Sequence, residues 1–151
     1  MLYDPSKEFK TADELGLFED QRYWLMETLR YMESGVFSHK TYNEDGLMFR
    51  MNDWITAHDD CGTACCIGGT ACMLADKPQL FNTFPEGYPI PLEKLFQVWT
   101  EKGTEVSVER GAAQLRKYLT TGECPRYWAD QPSLWGAMVF ACFELYHLVR
   151  P

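Results

Sequence analysis

The residues best suited to chemistry crowd into one run, His58-Asp59-Asp60-Cys61-Gly62-Thr63-Ala64-Cys65-Cys66. Three of the chain's six cysteines lie within six positions of each other. One reading makes Cys61 a nucleophile at the start of a helix, with His58 as its base, because a helix N-terminus and an imidazole both favour a thiolate. Asp59 and Asp60 oppose that thiolate by like charge, and no Gln or Asn is spaced to complete an oxyanion hole. A second reading is a metal site, His58-x-x-Cys61-x-x-x-Cys65, with Cys66, Asp60, Cys124 or His147 as fourth ligand. Structural zinc usually shows two close ligand pairs, and the second pair is missing. The third reading needs no chemistry and is the favoured one. Cys65, Cys66, Cys72 and Cys142 are then small core hydrophobes, Asp60 or Thr63 caps a helix, and Gly62 permits the turn into it.

A binding role is compatible with that third reading. Free amides at a helix start attract phosphate or carboxylate, and Phe49, Trp54 and His58 could wall a pocket. The expected ligand-binding set is Phe49, Trp54, His58, Cys61, Gly62 and Thr63, with no metal and no cofactor.

Phe49-Arg-Met51, Trp54 and Cys61-Gly-Thr-Ala-Cys-Cys-Ile-Gly-Gly-Thr-Ala71 carry a resemblance. The pattern resembles a group of small bacteriophage and bacterial proteins sharing Phe-x-Met, a Trp, then Cys-Gly-Thr-x-x-Cys-Ile-Ala/Gly-Gly-x-Ala. The likeness spans residues 49–71, with a weaker similarity over the helix and glycine at 107–122. Gly68 stands where Ala is more usual, and Thr70 where a larger Trp or His often sits. The resemblance implies a viral accessory protein acting in a bacterial cytoplasm. It implies no particular reaction.

The elements that position these residues follow from composition and periodicity. The chain has 151 residues, with 14 basic against 22 acidic side chains and a formal charge of −8. This length suits one domain, residues 1–151, burying roughly 70% of the unfolded chain's surface. Hydrophobic residues at 46% and aromatics at 15% exclude general disorder. The negative balance excludes a nucleic-acid binder driven by bulk charge. Residues 1–60 hold 13 acids and 6 bases; a solvated acidic surface is favoured over nucleic-acid mimicry. The N-terminal residues do not read as a signal peptide. The apolar run Leu134–Phe143 is half the length of about 20 that a membrane span needs. A cytoplasmic protein with no membrane partner is expected.

Thr11-Ala-Asp-Glu14 has the form of a capping box. A helix is predicted from Phe18 to Ser34, stopped by Gly35, with Phe18, Leu25, Leu29 and Met32 as core stripe. Tyr23, Trp24 and Tyr31 fall elsewhere, as a second buried face or an aromatic surface for a partner. Asn43-Glu-Asp-Gly46 predicts a small hairpin between 36–42 and 47–51. Thr63–Ala75 is predicted as an apolar central helix, meeting a last helix, Ser133–Val149, through Gly68 or Gly69. Pro91 starts a helix to about Lys102 with Leu92, Leu95, Phe96 and Trp99 inward. Ser107 caps another, ending at Gly122, with Val108, Ala112, Leu115 and Leu119 inward and Arg110, Gln114 and Lys117 on a solvated face.

The expected fold is mostly α, a bundle of five or six helices around a buried central helix, with one small β-hairpin. The expected function is a non-enzymatic phage-type accessory protein. Its expected partner is a small anionic, nucleotide-like ligand or a host protein, as in countering a host defence. Homo-oligomerisation is left open, and nucleic acid is not expected. The alternative is a cysteine-dependent hydrolase or transferase with Cys61 as nucleophile. On the incomplete ligand set, purified protein is expected to carry well below one equivalent of zinc or iron. Stoichiometric metal by elemental analysis, lost when Cys61 and Cys65 are both replaced by serine, would overturn this.

Overall fold

Local capping defines most helix ends. In the computed structural model, residues 8–51, 55–58, 62–96 and 106–124 are described, with 55–58 and 62–65 as backbone. Helix α1, Ala12–Leu15, opens on the expected box. The Glu14 amide donates to Thr11 Oγ1 at 3.3 Å and the Thr11 amide donates to Glu14 Oε2 at 2.9 Å. Helix α2, Glu19–Glu33, has Phe18 at its N-cap, a residue with no side-chain acceptor. Gln21 serves instead: its Oε1 accepts from the Phe18 amide at 2.9 Å. Its Nε2 donates to the carbonyls of Leu80 and Thr83, both at 2.8 Å. A fully buried amide is thus satisfied, as burial requires, and it ties the 80–83 turn to α2. Leu25, Leu29 and Met32 are buried as predicted, whereas Phe18 is 43% exposed. As the N-cap it lies before the helical stripe begins.

The predicted hairpin takes a different form. Leu47–Phe49 is strand β1, but its ladder partner lies further along the chain. Strands β2, Ile55–His58, and β3, Gly62–Cys65, form an antiparallel pair, and β1 joins the outer side of β3 in parallel. The sheet order is β1-β3-β2. The 36–43 segment does run beside β1: the Phe49 amide donates to the Ser38 carbonyl at 2.8 Å, and the Asn43 amide to the Leu47 carbonyl at 2.9 Å. Two isolated bonds are too few for a strand.

The central helix consequently begins later than predicted. Helix α3 is Ile67–Ala75, not Thr63–Ala75, because 62–65 is held between β1 and β2. Cys66, in extended conformation, is the N-cap; its Sγ accepts from the Gly69 amide at 3.5 Å. Residues Ile67 to Cys72 are all buried, so the helix is central as expected. It packs on α2 and on α4, Ile90–Phe96. The predicted contact with Ser133–Val149 lies outside the described residues, as do Trp99 and the stretch to Lys102. Leu92, Leu95 and Phe96 are buried on α4.

Helix α5, Val108–Thr121, keeps both predicted ends. Ser107 Oγ accepts from the Arg110 amide at 3.2 Å, and Gly122 turns left-handed at φ 75°. Its inner face packs on α2 and α4. The described chain is thus mostly helical, its helices packed against one another around one hydrophobic core. Among the described residues, no helix is long and apolar enough to cross a membrane.

At Gly111, α5 approaches α2 and β1 closely. A Cβ built there would stand 2.7 Å from both Met32 Cε and Phe49 Cζ. The methionine tip can swing aside, but the Phe49 ring is fully buried and rigid. Gly111→Ala is therefore expected to destabilise the fold by about 1–3 kcal/mol, read as a lower urea midpoint with unchanged slope. An unchanged or raised midpoint would show that the contact yields freely.

Candidate functional site

The β2–β3 pair sorts the expected site residues into two groups. His58 stands opposite Gly62, and Ala57 opposite Thr63, next to the three-residue connection 59–61. Ile55 stands opposite Cys65, which on its other side pairs with Phe49. Three residues separate the two ends of β3, roughly 10 Å at the usual strand rise. His58, Gly62 and Thr63 therefore belong to the connection end, together in sequence with Cys61. Phe49 belongs to the end from which α3 departs. Trp54 and Cys61 lie outside the described residues, although Trp54 directly precedes Ile55.

Phe49 has no exposed surface. Its ring meets Phe37 edge-on at 5.6 Å and lies under Gly111. It is a core residue, and the expectation that it walls a ligand pocket is corrected accordingly. The anion site expected at Cys61, Gly62 and Thr63 also loses its physical basis. Positions 62 and 63 are strand residues within the sheet, and the free helical amides come only after Cys66, at a buried helix start.

The metal set meets a similar obstacle. The register puts position 58 opposite position 62, at the connection end of β3, and position 65 at its other end. Cys61, Asp60 and His147 lie outside the described residues. Among the described residues, no group of three His, Cys, Asp or Glu is placed to hold a metal ion.

Cys66 and Cys72 are each 1% exposed, as small core hydrophobes would be. Helix-start rules favour oxygen acceptors and do not predict the sulfur cap of Cys66; its only trace in the sequence is a cysteine three residues before Gly69. Nor does local sequence reveal the role of Gln21, whose pairing partners lie about sixty residues away.

The aromatic set divides. Tyr31 is braced: its hydroxyl donates to Asp45 Oδ2 at 2.8 Å and accepts from Asn43 Nδ2. Trp24 is half-buried against the core and meets Tyr23 edge-on at 5.1 Å, leaving Tyr23 as the exposed member. On α5, Lys117 is exposed while Arg110 and Gln114 are half-buried.

The electrostatics of the α3–α4–α5 region come from burial. Burial pushes the phenol of Tyr118, 1% exposed, well up. The Tyr118 hydroxyl donates to the Leu15 carbonyl at 3.4 Å. Burial also pushes the Cys124 thiol up to about 12, against the opposing pull of Lys94 and Lys117. None of these groups is set to act as a base or nucleophile near neutral pH.

Cys124 is therefore expected to react with iodoacetamide at pH 8 about a thousandfold more slowly than a free thiol of pKa about 8.5, and normally once unfolded. The folded thiol holds its proton where the unfolded one has lost it. Its contribution to stability is intact below about pH 8.5 and declines as pH rises toward 12. Peptide mapping after alkylation checks the first point; rapid labelling of native Cys124 would refute it.

No protein-family model, curated protein or solved structure matches this chain.

Proposed function

We propose that this protein is a non-enzymatic accessory protein of the bacteriophage type. On this reading it acts in a bacterial cytoplasm by binding a host protein through the connection end of the β2–β3 hairpin. The observation that carries the reading is the register His58↔Gly62, which leaves Asp59, Asp60 and Cys61 as a three-residue connection. Cys61 precedes Ile67, the first residue of α3, by six positions in the sequence, which argues against activation by helix amides. Asp59 and Asp60, adjacent to Cys61 in the sequence, disfavour the thiolate and repel a small anionic ligand. They favour a basic partner surface, since complementary charge speeds and orients protein association.

The test uses tagged full-length protein expressed in bacteria, compared with Asp59→Lys/Asp60→Lys and Cys61→Ser variants. A stoichiometric bacterial protein should co-purify with the wild type. The double charge reversal should reduce capture about tenfold, and the serine variant should retain it. Native mass spectrometry showing a retained anionic metabolite in place of a protein would favour the small-ligand reading. Loss of biological activity in a folded Cys61→Ser variant, with rapid alkylation of Cys61 near pH 6, would establish the hydrolase or transferase alternative.

A further inference from the structure

We draw no further inference here: the strongest candidate, the surface groove of about 430 Å³ between the start of α2 and the 77–83 turn, lined by Phe18, Asp20, Lys77, Leu80 and Thr83, is a partly apolar face for which nothing in the structure shows what covers it.

Discussion

Strand β3 is hydrogen-bonded on both sides, and the rest of the architecture accommodates that. Its four residues, Gly62–Cys65, take β1 on one flank and β2 on the other. A backbone committed to two ladders cannot also start a helix, so α3 waits until Ile67. The change of direction falls on Cys66, whose sulfur and carbonyl then organise the first turn: Sγ receives the Gly69 amide, and the carbonyl receives the Thr70 hydroxyl at 2.7 Å. Through this single residue the sheet hands the chain directly to the buried centre.

Helix α2 spreads that constraint through the bundle. It packs against both α3 and α5, and each end is tied to a distant segment. Near its start, Gln21 holds the turn at Leu80 and Thr83. Near its end, Tyr31 holds the turn at Asn43 and Asp45, and Glu33 takes a bidentate pair from Arg116 of α5 at 2.8 and 3.0 Å. The buried amide matters most, because an orphaned buried polar group is costly; the exposed Arg116–Glu33 pair contributes little.

What was legible in the sequence was local. Thr11, Ser107 and Gly122 act within a turn of their own positions, so their roles could be read from neighbours alone. Periodicity likewise identified Leu25, Leu29, Leu115 and Leu119 as core. Gly-Thr-Ala-Cys fits a helix start locally, as small residues before an apolar run, yet forms strand β3. Its strand conformation depends on Leu47 to Phe49, more than a dozen residues earlier. The same limit applies to the site. The nearness of His58 to Cys61 is written in adjacency, whereas the separation of Phe49 from His58 emerges only from the register.

The strand order also imposes a sequence of assembly. The β2–β3 hairpin closes over three residues, and hairpins of this kind form within about 1–10 μs. Pairing β1 with β3 requires the chain to loop across the whole of β2, a closure whose entropy must be met before any contact rewards it. The 36–43 segment, by contrast, meets β1 within a dozen residues, so that contact and the turn gripped by Tyr31 close locally. A chain emerging N-terminus first can set β1 beside the 36–43 segment at once, but must leave its β3 side open until residue 65 has been made.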